Sequence, residues 1–165
     1  IFSDFIFNIF YLIFIFDILP LLIFEDGIFN SDDSSKWSLT ILEGSTVTLE
    51  EGFTGTITIN TTDAVTIDGT DTGDLKNVRI VTSSAIADLT IKNLNITNDT
   101  GGAITFSSST DNKLTLAGKN VLKTSDTWAA VVNIGGGLTI DGTGSLDGTS
   151  GSQGSGIGYN SYDNH

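Results

Sequence analysis

Twenty Asp and Glu against six Lys and one Arg make carboxylates the main chemical resource of this chain. Carboxylates serve as general acids and bases, as the paired acids of glycoside hydrolysis, or as calcium ligands. Asp68, Asp88 and Asp141 flank short alternating segments, which puts their side chains on the solvent side, with the lone Arg79 on a different face. In the repeat described below, Asp68 and Asp141 stand three coils apart, roughly 14 Å at the strand spacing, too far for the acid pair of a glycosidase. An Arg-assisted lyase site would have to draw on Asp63, Asp71 or Asp74 from neighbouring turns. Calcium takes six to eight oxygens, and the turns around Asp68, Asp71 and Asp74, or around Asp141 and Asp147, could supply some of them. Calcium is thus left open as a cofactor.

Other chemistries are excluded by what the chain lacks. With no Cys there is no disulfide, thiolate nucleophile or Cys-ligated metal, and the single His is the last residue, His165. A Ser/His/Asp triad has no histidine in the body of the chain. A net charge of −13 gives no electrostatic source for binding a phosphate backbone, so nucleic acid is not expected as a partner. Sugar recognition calls for an aromatic platform, and beyond the N-terminal segment the aromatic candidates are Trp37, Trp128, Tyr159 and Tyr162. Trp128 and Tyr159, with the turn acids Asp141 and Asp147, are expected to converge as a polysaccharide site near one end of the fold. No catalytic residue is assigned.

The elements that would position these residues follow from a repeat. The units Leu39-Thr40-Ile41, Val65-Thr66-Ile67, Leu89-Thr90-Ile91, Leu114-Thr115-Leu116 and Leu138-Thr139-Ile140 start 26, 24, 25 and 24 residues apart. Apolar side chains on one face and Thr on the other describe a strand with one buried side. A second family runs through Val47-Thr48-Leu49, Leu94-Asn95-Ile96, Val121-Leu122 and Leu146, with a degenerate member near Leu75. A third runs through Ile57-Thr58-Ile59, Val78-Arg79-Ile80, Ile104-Thr105-Phe106, residues 130–134 and Ile157. Fixed period with alternation predicts an all-β, right-handed, single-stranded parallel β-helix, a solenoid of three strands per coil and about five coils. Gly69, Asn93, Gly118 and Gly142, each two residues past a first-family unit, tolerate positive φ and are expected to turn the chain. Thr40, Thr66, Thr90, Thr115 and Thr139 should form one outward ladder, a surface for ice or a crystalline glycan. Lys92, Lys113, Asp68 and Asp88 interrupt the plane that ice would require.

Residues 1–30 are of different material, holding eight of the ten Phe. They approach the length of a membrane span, but Asp4, Asn8, Asp17 and Pro20 interrupt it, and no basic residue precedes Lys36 as an export signal requires. Three readings fit: an incomplete export signal or membrane anchor, a cap over the open solenoid end, or sequence upstream of the true start. Residues 31–165 are expected to be the β-helix. Because they stop just after the third strand of the fifth coil, the chain is expected to be a piece of a longer protein.

The stretches LNITNDTGGAITF, KLTLAGKNVLKTS and GGLTIDGTGSLDGTSGSQGSGIG resemble bacterial surface β-helix proteins described as carbohydrate-binding domain-containing. The single GGAI at Gly101 to Ile104 is also similar to the tetrapeptide of polymorphic outer-membrane adhesins. This resemblance implies a secreted or cell-surface β-helix, shaped like pectate lyases, that binds acidic or cellulosic polysaccharide, or a cell-surface glycan, with calcium and without turnover.

Overall fold

The computed structural model describes residues 28–30, 38–70, 72–83, 88–125, 127–151 and 154–158. Short β-branched, alternating segments separated by Gly, Asn and Asp cannot build a helix face, and all regular structure among the described residues is strand. Fifteen strands build three parallel walls of a β-helix, and one more, β1 (Ile28–Asn30), joins antiparallel.

Sheet A carries β3 (Thr46–Thr48), β5 (Ala64–Asp68), β8 (Asp88–Lys92), β11 (Asn112–Ala117) and β14 (Leu138–Gly142). Sheet C carries β6 (Leu75–Lys76), β9 (Asn95–Asn98), β12 (Lys119–Thr124) and β15 (Ser145–Thr149). Sheet B carries β2 (Ser38–Ile41), β4 (Gly55–Ile59), β7 (Val78–Thr82), β10 (Ile104–Phe106), β13 (Val131–Asn133) and β16 (Ile157–Gly158), with β1 on the free edge of β2. Sheet C has one strand fewer than sheet A, so four complete three-walled turns follow a first turn closed on one side by the loop carrying buried Leu49 and Phe53.

Inward side chains form columns along the axis. One is Leu39, Ile57, Ile80, Ile104, Val131 and Ile157; another is Val65, Leu89, Leu114 and Ile140. Each buried aliphatic is worth about 1.5–3 kcal/mol relative to exposure, so the columns supply most of the driving force for stacking. At the last turn nothing described lies beyond the columns, and Ile140 and Ile157 are exposed although they face inward.

Four expectations need correction. Leu39-Thr40-Ile41 belongs to sheet B, opposite Ile57-Thr58-Ile59, and Val47 belongs to sheet A, opposite Ile67. Apolar-Thr-apolar units look the same on every wall, so the unit itself does not say which wall it joins. The segment at Leu75 is a paired strand, with Leu75 buried opposite Ile96. In the last turn Leu138 lies opposite Asn112 and Ile140 opposite Leu114; this two-residue offset preserves alternation and is invisible to it. Finally, Asn93, Gly118 and Gly142 do turn at positive φ, whereas Gly69 is required by space. A Cβ there would lie 2.7 Å from Leu94 Cδ2 and 3.0 Å from the Asn93 carbonyl oxygen.

Leu89 is fully buried in a central coil, and Leu138 is only partly buried at the open end. Leu89→Ala should cost about 2–5 kcal/mol and lower Tm by on the order of 10 °C, against less than about 3 °C for Leu138→Ala. Thermal melts followed by circular dichroism check the ranking, and equal losses would overturn the column assignment.

Candidate functional site

Two surfaces collect polar side chains. The first is the outer face of sheet A, where alternation turns every second residue outward. Its central rank is Thr46, Thr66, Thr90, Thr115 and then Asp141. The expected five-Thr ladder is therefore revised: Thr40 lies on sheet B beside Thr58, Thr139 lies beside Lys113, and Thr46 takes the first place. On one side of this rank run Ala64, Asp88, Lys113 and Thr139; on the other run Thr48, Asp68, Lys92 and Ala117.

Two ion pairs between successive coils bracket the Thr rank, Lys92 to Asp68 at 2.8 Å and Lys113 to Asp88 at 3.7 Å. The first is the better built. Asp68 also accepts the Thr70 backbone N–H at 2.8 Å and the Thr70 hydroxyl. Burial pushes its carboxyl up, but the hydrogen bonds from Lys92 and Thr70, with the Lys92 charge, outweigh this and hold it below the ordinary 3.8.

The second surface is the corner where the chain passes from sheet C to sheet B. One residue, Asn77, separates β6 from β7; in later turns the connection is residues 99–103, then 125–130, then 150–156. Passages from A to C are short after the first: residues 69–74 give way to 93–94, Gly118 alone and 143–144. The coil-three connection is shaped by fully buried Asn98, whose Oδ1 accepts the Thr100 N–H and hydroxyl and whose Nδ2 donates to the Gly102 carbonyl. Trp128, half-buried, sits in the coil-four connection, its carbonyl accepting the Thr124 hydroxyl at 2.6 Å. Arg79, two coils before Trp128 and outward on sheet B, lays its guanidinium against Gly101, where a Cβ would stand 3.4 Å from Cζ.

Of the residues expected to converge, Asp141, Asp147 and Trp128 lie on three different elements. Asp141 is exposed at the end of sheet A, where its Oδ1 accepts the Gly142 N–H at 2.7 Å. Asp147 is exposed on sheet C opposite Val121, with the Thr149 hydroxyl donating to its Oδ1 at 3.3 Å. From the Val121 position to Trp128 is seven residues along the wall and corner, on the order of 20 Å if extended. Trp128 and the two acids therefore do not share one wall. Tyr159, Trp37, Tyr162, His165 and Asp71 lie outside the described residues.

Two of the acids that an Arg79-assisted site would have drawn on are engaged elsewhere. Asp74 pairs with Lys76 and accepts the Thr97 hydroxyl at 2.8 Å. The Lys76 hydrogen bond leads, against slight burial, in holding its carboxyl low, helped by Thr97 and by the charges of Lys76 and Lys123. Asp63 accepts the Thr61 hydroxyl at 3.2 Å. Among the described residues, no three His, Asp or Glu cluster so as to hold a metal ion. Of the three Asn-x-Thr sequons, Asn98 is fully buried, and Asn60 accepts the Ser83 hydroxyl at 2.6 Å. The Arg79–Gly101 contact was not expected from sequence, although the Gly-Gly pair at 101–102 marks the place where backbone must leave room.

No family model, curated protein or solved structure matches this chain.

The Asp68–Lys92 link yields a pH prediction. A carboxyl held low in the folded state stabilises it above the unfolded value of 3.8 and loses that contribution as pH falls through the folded value. Because the ammonium is partly exposed, Asp68→Asn should cost only about 0.5–1 kcal/mol, or ~2–4 °C, at pH 7. The difference from wild type should shrink as the pH is lowered below 3.8, as thermal melts across pH 2.5–7 would reveal. A constant difference would remove the ion pair as its origin.

Proposed function

We propose that the chain is a non-catalytic, secreted or cell-surface module that binds polysaccharide, or acts as an adhesin, along the outer face of sheet A. The observation that carries this reading is the central Thr rank flanked by ion pairs on opposite sides. Four Thr side chains repeat at about 4.8 Å along the axis, a translational array that suits a polymer better than a single sugar. Thr methyls offer apolar contact to sugar C–H faces, and hydroxyls, ammonium and carboxylate groups offer donors and acceptors to sugar hydroxyls. The ion pairs favour a glycan over ice, because they interrupt a uniform hydroxyl plane. Binding without chemistry is supported by acids that stand on separate walls or are held in ion pairs.

The reading predicts retention on an insoluble polysaccharide such as cellulose, chitin or pectin. The double variant Thr66→Asp with Thr115→Asp, which leaves the inward columns untouched, should lose at least tenfold in affinity, about 1.4 kcal/mol. Incubation with polygalacturonate and calcium should release neither unsaturated nor reducing ends. A folded double variant that binds as wild type would move binding off sheet A. Product release that disappears on Arg79→Ala would install a lyase instead.

A further inference from the structure

Acidic side chains can react with the chain that carries them. Where Asp precedes Gly, the Gly amide nitrogen can attack the Asp carboxyl carbon, because no Cβ shields the bond and the backbone there turns freely. Three such pairs lie among the described residues, in the stretches Ile67-Asp68-Gly69-Thr70, Ile140-Asp141-Gly142-Thr143 and Leu146-Asp147-Gly148-Thr149. The local sequences are nearly the same, so any difference in reactivity comes from the fold.

Asp68-Gly69 is locked. One carboxylate oxygen of Asp68 accepts from the Lys92 ammonium and the other from the Thr70 N–H and hydroxyl, while the buried Gly69 donates its N–H to the Lys92 carbonyl at 2.8 Å. Asp147 accepts the Thr149 hydroxyl at 3.3 Å, and Gly148 is held inside β15, paired with β12 opposite Leu122.

Asp141-Gly142 is set up differently. The Gly142 N–H donates to Oδ1 of the residue before it at 2.7 Å, which brings the amide nitrogen against the carboxyl it would attack. Reacting groups held about 3–3.5 Å apart are close to a productive approach. Both residues are exposed, and β14, which ends there, pairs only with β11 among the described residues, so a small local opening lets the carboxyl carbon swing onto the nitrogen. Nor can the glycine be exchanged for a residue that shields the bond. Its φ is +105°, and a Cβ would stand 2.3 Å from the Leu116 carbonyl oxygen. The turn that leaves the last strand of sheet A thus demands the residue that makes the pair reactive.

We propose that Asp141-Gly142 is a site of spontaneous modification, at which aspartate isomerises to isoaspartate through a cyclic imide. The Gly142 nitrogen bonds to Asp141 Cγ, and its proton leaves with the carboxyl hydroxyl as water. Water then adds to one of the two imide carbonyls. Addition at Cγ restores aspartate. Addition at the former main-chain carbonyl breaks its bond to the Gly142 nitrogen, which takes back a proton; the chain then runs through Cβ and Cγ, and a free α-carboxylate projects beside it. Composition is unchanged, no enzyme or cofactor takes part, and one carbon enters the backbone where sheet A gives way to sheet C. The central outward rank of sheet A, which Asp141 ends, then closes on a relocated carboxylate. The inference stands apart from the polysaccharide reading.

The test is warm incubation of the full chain, folded and in urea, followed by digestion with a protease that cuts before aspartate but not before isoaspartate. Fragmentation mass spectrometry then places each product. In the folded chain, cleavage before Asp141 should be lost, at unchanged mass, at least tenfold faster than before Asp68 and severalfold faster than before Asp147. In urea the three rates should converge, because the three pairs share their chemistry and only the fold separates them. Departure of water needs the protonated acid, so the folded reaction should run severalfold slower at about pH 8 than at about pH 5. Asp141→Asn reaches the same imide by losing ammonia and should react faster than wild type at the higher pH. Equal rates at the three pairs in the folded chain, or a lead for Asp141 that persists in urea, overturns the proposal. So does an Asp141 that survives in the folded chain while the urea sample isomerises.

Discussion

Everything in this fold depends on one coil lying squarely on the next. A strand in any wall finds its hydrogen-bond partners along the axis, and an inward Leu, Ile or Val finds apolar neighbours above and below as well as across the prism. The two demands reinforce each other, since strand pairing sets a spacing of about 4.8 Å at which aliphatic side chains touch. Two polar side chains that enter the columns are bonded to nearby backbone. Asn120, fully buried, accepts the Leu94 N–H and donates to the carbonyls of Ala117 and Ser145, so it ties three consecutive coils. Thr82, in the column between Ile59 and Phe106, accepts the Ser107 N–H at 3.3 Å.

Walls held to a common register leave the corners as the place where the chain can vary. An extra residue inside a strand would flip every later side chain to the wrong face, whereas extra residues at a corner leave the columns undisturbed. The corner from C to B uses this freedom, growing from Asn77 alone to seven residues, 150–156. The corner from A to C stays at one or two residues after its first passage, and at Gly118 the turn is so tight that a Cβ would stand 1.9 Å from Asn93 Oδ1. Close stacking at one corner and loop growth at another make the prism asymmetric, with structure on one edge and room for recognition on the other.

The same logic separates what was legible in the sequence from what was not. Strand positions and inward faces of the central turns were legible at Val65, Leu89 and Leu114, because burial imposes a period of two and the coil a second period of 24 or 25. Wall identity in the first turn was not, since Leu39-Thr40-Ile41 satisfies the pattern of sheet B as well as that of sheet A, and only pairing chooses. The offset of Leu138 was hidden for the same reason: a slip of two residues keeps each face intact. Asp141 was read as outward, but Asp147, read as a turn acid, lies within a strand, and a corner between the two turns them onto different walls. Arg79 over Gly101 joins residues 22 apart across a connection whose length differs from that of the coil before, and no fixed repeat encodes such a contact.

An acidic chain raises the question of range. At physiological ionic strength the Debye length is about 8 Å, less than two strand spacings, so an approaching ligand responds to local charge far more than to the net −13. On sheet A each Lys is answered by an Asp one coil away, which leaves the Thr rank between neutralised pairs and suited to uncharged hydroxyls. Along sheet C, Asp74 is held by Lys76 and the Thr97 hydroxyl and feels the Lys123 charge as well. A wall whose side chains repeat at the strand spacing on a rigid prism would let a polymer be gripped through its hydroxyls along the axis.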